Sequence, residues 1–136
     1  LAGLAGSMQV AVMGRFGERI GSLEAFAFAS VLTAGLALAA LLVTRQSLGG
    51  YTEAMRAPAW MWLGGFFGAF VVLTITVTAP RIGVAAVVAL LIAGQLAMGA
   101  LIDRFGWFGV EQVPLGWQRL LGIALLAAGT ALVLKK

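Results

Sequence analysis

No charged residue occurs between Arg81 and Asp103, and that interval constrains the fold more than any other feature of the chain. An α-helix rises about 1.5 Å per residue, so about 20 apolar residues cross the roughly 30 Å hydrocarbon core of a bilayer. Ile82 to Ile102 meets that length outright. Leu23 to Val43 meets it with Glu24 at its rim, and Trp60 to Ala79 meets it without a charge. Gly116 to Leu134 is a fourth segment, with Gln118 and Arg119 in its first turn, where an Arg side chain snorkels to the interface. Leu1 to Gly14 is apolar but shorter, and the chain opens at Leu rather than Met. It lacks the basic stretch of a signal peptide and reads as the remaining part of an incomplete first transmembrane helix. The expected fold is an all-α integral membrane protein, one domain over residues 1–136, with five helices near 1–14, 23–43, 60–79, 82–102 and 116–134. The runs are continuous rather than alternating, which excludes the strands of a β-barrel.

Composition agrees. Of 136 residues 62% are hydrophobic and 10% are charged, against about 25% charged in a soluble domain. The chain has too few polar groups to cover a water-facing surface, so the lipid bilayer is its solvent. The net charge of +4 comes from Arg and Lys scattered singly between apolar runs. They form no basic stripe, and no nucleic-acid partner is expected. There is no Cys and no His, which removes disulfides, thiolate and imidazole chemistry, and Cys/His metal sites. No phosphate-binding, dinucleotide-binding or nucleophile-elbow motif occurs. No enzymatic activity, cofactor or metal is expected.

The intervals between the apolar runs read as connectors. They are Arg15 to Ser22, Thr44 to Ala59, an abrupt turn at Pro80 and Arg81, and Asp103 to Pro114. Trp60, Trp62, Trp107 and Trp117 stand at segment ends, as an interfacial aromatic belt requires. Five crossings place Arg45, Arg56, Arg104 and Arg119 on one side and Arg15, Arg19, Arg81, Lys135 and Lys136 on the other. Orientation follows Lys/Arg bias, and four against five is almost no bias. Such a chain can insert both ways; the other reading is that a charge missing from the N-terminal side tips the balance.

Polar groups within the apolar runs are the candidates for function. Gln95 is a strongly polar amide inside a membrane span; it either bonds a neighbouring helix or lines a polar cavity. Gln9 is a second such amide. Ser30 and Thr33, and Thr74 with Thr78, share helix faces, and their hydroxyls either bond their own i−4 carbonyls or face a substrate. Gln95, Gln9, Ser30, Thr33 and Thr74 are the candidate lining of a solute cavity, with Trp60 and Trp62 near one mouth. Glu24 is the candidate coupling carboxylate, while Asp103 beside Arg104 reads as a turn and helix-end feature. Small residues mark helix packing: Gly64 and Gly68 as a G-x-x-x-G step, and Ala89, Ala93 and Ala97 within an alanine stripe that includes Ala85 and Ala100.

Five stretches together carry a family resemblance. They are Ala57-Pro58-Ala59-Trp60-Met61-Trp62-Leu63-Gly64-Gly65, Ala79-Pro80-Arg81-Ile82-Gly83-Val84-Ala85, Ala93-Gly94-Gln95, Asp103-Arg104-Phe105-Gly106-Trp107-Phe108-Gly109, and Arg119-Leu120-Leu121-Gly122. In order and spacing they resemble the YdcZ family of small membrane proteins, in the EamA-like drug/metabolite transporter superfamily. Gln9 matches the family's first helix, but Met13 stands where that helix usually has Asn. The resemblance implies a multi-pass protein of the bacterial inner (plasma) membrane, equivalent to one inverted repeat of a ten-helix transporter. With the charge balance, it leads to a secondary-type transporter of a small solute, a metabolite or amphipathic cation. Two copies would work as an antiparallel homodimer by alternating access; a hetero-dimer with a related chain is the other pairing. The alternatives are a non-transporting membrane scaffold or accessory subunit, and a small multidrug-resistance-like exporter. The latter type has a Glu in its first helix, which this chain lacks.

Overall fold

The computed structural model describes residues 1–45 and 49–135, and every regular element among them is helical. The helices are α1 (Ala2–Ile20), α2 (Ser22–Arg45), α3 (Gly49–Arg56), α4 (Leu63–Ile82), α5 (Val84–Phe105) and α6 (Trp117–Leu134). Short 3-10 turns occupy Ala59–Trp62 and Trp107–Gly109. Four described stretches are long and apolar enough to cross a membrane: Ser22–Thr44, Ala59–Ile82, Val84–Phe105 and Trp117–Leu134. The protein is therefore an all-α membrane protein. α1 falls outside that set because its last six residues carry Arg15, Glu18 and Arg19.

Three connectors differ from the sequence expectation. Arg15 to Ser22 is not a loop: α1 runs on to Ile20, supported by an Arg15–Glu18 ion pair of 3.1 Å one turn apart. The whole connection to α2 is Gly21, whose φ of +103° ends one helix and lets the next begin. Pro80 likewise does not end its helix. It lies in the last turn of α4, and the break falls at Gly83, with φ +88° and ψ 155°. Thr44 to Ala59 contains the short helix α3. Its Ala54 carbonyl accepts a hydrogen bond from the Trp62 indole at 3.1 Å, and Pro58 stands between α3 and the next turn. Residues 46–48 of that interval, and Lys136, lie outside the described residues.

The chain divides into two compact units, one of residues 12–80 and one of residues 1–11 with those from 81 onward. In the first, α1 and α4 touch through small residues. A Cβ on Gly14 would stand 3.0 Å from the Ala79 Cβ, and one on Gly17 would stand 2.7 Å from the Thr76 Cγ2. Close backbone approach of this kind is the main attraction between helices in lipid. Thr76 is fully buried, and its hydroxyl is satisfied by the Val72 carbonyl at 2.8 Å. Phe16 and Phe28 meet edge to face at 5.6 Å.

In the second unit α5 and α6 form a helical hairpin. Ala86, Val87, Ala100 and Thr130 are buried there. The Thr130 hydroxyl lies 2.8 Å from its own Leu126 carbonyl and 3.3 Å from the Ala89 carbonyl on α5, so it bridges the two helices. Gly106, in the left-handed conformation, caps α5 by donating to the Ile102 carbonyl at 2.8 Å. The following loop folds back: Val113 N–H donates to the Asp103 carbonyl at 2.8 Å and the Gln112 side-chain amide to the Phe105 carbonyl at 3.3 Å. Large apolar side chains such as Val31, Leu36, Phe66, Phe70, Leu125 and Leu132 are exposed. Outward apolar side chains are what a bilayer solvates.

Candidate functional site: a groove between α5 and α6

The seam of the α5–α6 hairpin opens at one end into a groove of about 280 Å³ lined by Gln95, Leu96, Gly99, Ala100, Asp103, Arg119, Gly122 and Ile123. Its existence follows from side-chain size. Positions 99, 100 and 122 are Gly, Ala and Gly, and no atom lies within 4 Å of where a Cβ on Gly99 or Gly122 would stand. The volume is at the small end of ligand pockets, which run from roughly 300 Å³ upward.

Gln95 lies at the inner end. It is the twelfth of the 22 residues of α5, about 16 Å from either helix end and so near mid-span. Its side chain is exposed, and among the described residues the amide has no hydrogen-bond partner. An amide moved from water to a medium without partners costs roughly 2–7 kcal/mol, a bill that mid-bilayer lipid cannot reduce.

At the outer end, Arg119 Nη1 donates to Asp103 Oδ2 at 3.0 Å, with the side chains 48% and 33% exposed. Each charge stands where its own helix disfavours it. Asp103 is in the last turn of α5, facing the negative end of that helix dipole, and Arg119 is in the first turn of α6, at the positive end. Each such misplacement costs about 0.3–1 kcal/mol, so helix capping does not account for either residue. The groove thus has a charged mouth, a floor of small residues and an amide about 12 Å further along α5. A second, apolar cavity of about 700 Å³ lies along the same unit, lined among others by Ser7, Val88, Ala89, Ile92, Leu126 and Val133.

Of the residues selected from the sequence, the groove holds Gln95. Gln9 is exposed on α1. Ser30 and Thr74 turn their hydroxyls back to the Phe26 and Phe70 carbonyls at 2.9 and 2.8 Å, the self-satisfied arrangement. Thr33 is exposed on α2. Glu24 is in the first turn of α2 with its carboxylate over Gly21, where the helix dipole favours an acid. Trp60 and Trp62 are half exposed beside α3. Gly64 and Gly68 have open space where a Cβ would stand. Ala89 offers its carbonyl to Thr130, Ala93 is half-buried, and Ala97 is exposed.

The Asp103–Arg119 pair is the feature that sequence reasoning missed, having set Asp103 beside Arg104 instead. The signal was present: an acid at the C-terminal end of one apolar run and a base at the N-terminal end of the next.

Four apolar stretches of membrane-crossing length define a multi-pass membrane protein. The family model described as "Putative inner membrane exporter, YdcZ" matches residues 1–132, and the chain belongs to that family. It is thus an inner-membrane protein of the exporter class. No curated protein and no solved structure matches the chain.

Proposed function

We propose that the protein moves a small solute across the inner membrane through the α5–α6 groove, two oppositely oriented copies alternating its access between the two sides. The observation that carries this reading is Gln95: an amide near mid-span without a partner among the described residues, on the wall of a groove, where an empty position would be costly. A solute with hydrogen-bonding groups supplies the missing partner. With α1 as a fifth crossing, one copy corresponds to one repeat of a ten-helix transporter, and an inverted pair recreates the two-fold axis in the membrane plane. The open faces at Gly64 and Gly68 support contact with a second copy, since small residues let another backbone approach.

Flux through purified protein in proteoliposomes tests the reading. Gln95→Leu lowers flux about ten-fold or more, the effect of losing one buried polar contact, and leaves the oligomer unchanged on size-exclusion chromatography. Wild-type flux in that variant removes the groove from the pathway.

A further inference from the structure

Resting on that reading, we propose that the groove takes a solute that is itself a zwitterion: a small molecule with one ammonium and one carboxylate on an apolar body. Three observations converge on this class. First, among the described residues that line the groove, one is negative and one is positive. A solute with a single charge, of either sign, would pair with one of them and leave the other, only partly exposed, with neither its partner nor full solvation. A zwitterion exchanges one complementary pair for two and leaves nothing uncompensated. Its carboxylate goes to Arg119 and its ammonium to Asp103.

Second, the existing pair is loosely committed. One N–H···O contact joins the two side chains, where guanidinium and carboxylate can form two. The remaining guanidinium donors and the second carboxylate oxygen stay uncommitted to each other, and part of each side chain is exposed. Opening such a pair to admit a ligand costs little.

Third, the two charges occupy helix ends that their dipoles disfavour. Residues that break a local rule in this way are expected at functional sites. Beyond the mouth the wall is Leu96, Ala100 and Ile123, which suits an aliphatic body, and the volume of about 280 Å³ suits a molecule of amino-acid size.

The test uses three probes with the same branched body and different charge: L-leucine, L-leucine methyl ester (a cation) and 4-methylpentanoate (an anion). Each is measured by counterflow in proteoliposomes containing the full chain, wild type, Asp103→Asn or Arg119→Gln, with circular dichroism and size-exclusion profiles as controls for folding. The expected result is that wild type prefers leucine over both singly charged probes. Asp103→Asn loses about ten-fold or more of its leucine flux and comes to prefer the anion, while Arg119→Gln shifts to the cation. A purely structural ion pair does not reverse selectivity in opposite directions. Wild-type preference for the ester or the anion, still dependent on Gln95, overturns the zwitterion and keeps the groove. Flux of none of the three overturns the zwitterion; the groove itself then stands or falls by whether Gln95→Leu abolishes the flux of whatever solute the wild type carries. Loss of leucine flux in both variants with no change in selectivity also overturns the zwitterion, assigning the pair to structure.

Discussion

Arg119 reaches across sixteen residues to the Asp103 carboxylate at 3.0 Å, tying the first turn of α6 to the last turn of α5 beside the loop that joins them. Both side chains are partly in contact with water, so solvent screening keeps the coupling small. A double-mutant cycle with Asp103→Asn and Arg119→Gln, read by thermal unfolding in detergent, gives about 1 kcal/mol or less. Each single variant also relieves an unfavourable helix-dipole contact of about 0.3–1 kcal/mol, so both remain folded. A coupling well above that range would mean that the pair holds the hairpin together rather than standing ready to open.

The α1–α4 contact depends on the missing side chain of Gly17. Alanine there places its Cβ 2.7 Å from the Cγ2 of a fully buried Thr76 and 3.3 Å from the Thr76 carbonyl. Gly17→Ala therefore destabilises by about 1–3 kcal/mol, the usual cost of overpacking. Gly14→Ala costs less, because its nearest neighbour is 3.0 Å away. Thr76→Ser removes Cγ2 and keeps the hydroxyl that bonds the Val72 carbonyl, so adding it to Gly17→Ala restores part of the loss. Equal melting temperatures for wild type and Gly17→Ala would show that the two helices do not approach in this way.

Gly83 is constrained by backbone conformation rather than by space. Its φ of +88° and ψ of 155° lie in a region that is essentially closed to residues with a Cβ, although no atom stands within 4 Å of where a Cβ would be. Gly83→Ala is expected to lower stability by about 1–3 kcal/mol. Gly122→Ala, equally open but inside a helix, leaves stability unchanged or raises it. The same substitution narrows the groove and lowers flux. Melting curves for the two variants separate the effects.

The membrane spans were legible because a run of apolar residues has only one cheap environment. Leu23 to Val43, Trp60 to Ala79 and Ile82 to Ile102 each fall on a helix of the expected length to within a few residues. Their ends were not legible, for local reasons. Arg15 and Glu18 read as connector residues but stabilise one more turn of α1. Pro80 is a frequent boundary marker, yet in the last turn of α4 it costs little. That Gly21 and Gly83 adopt positive φ, and other glycines near them do not, depends on how the chain folds around them. The site divides in the same way. Gln95 was visible as a lone amide in an uncharged run, whereas the partner of Asp103 could be named only once α5 and α6 were laid side by side. Ser30 and Thr74 carried two readings in the sequence, and their hydroxyls donate to the Phe26 and Phe70 carbonyls.

The proposed insertion in both orientations does not depend on whether α1 crosses the bilayer. Arg15 and Arg19 follow the apolar part of α1, so the proposed topology puts them on one side with Arg81, Lys135 and Lys136 in either case, and puts Arg45, Arg56, Arg104 and Arg119 opposite. The balance stays at four against five, and only the side of Leu1 changes. Topology reporters fused after the last residue are therefore expected on both sides of the membrane. Arg56 and Arg104 are both exposed, and Arg56→Gln with Arg104→Gln leaves two charges against five, enough bias to hold the C-terminus in the cytoplasm. If opposed copies form the transporter, that variant folds and inserts but loses flux. Co-expression with a copy carrying Arg15→Gln, Arg19→Gln and Arg81→Gln, biased the other way, restores it. Full flux from the one-sided variant alone would show that a single orientation suffices.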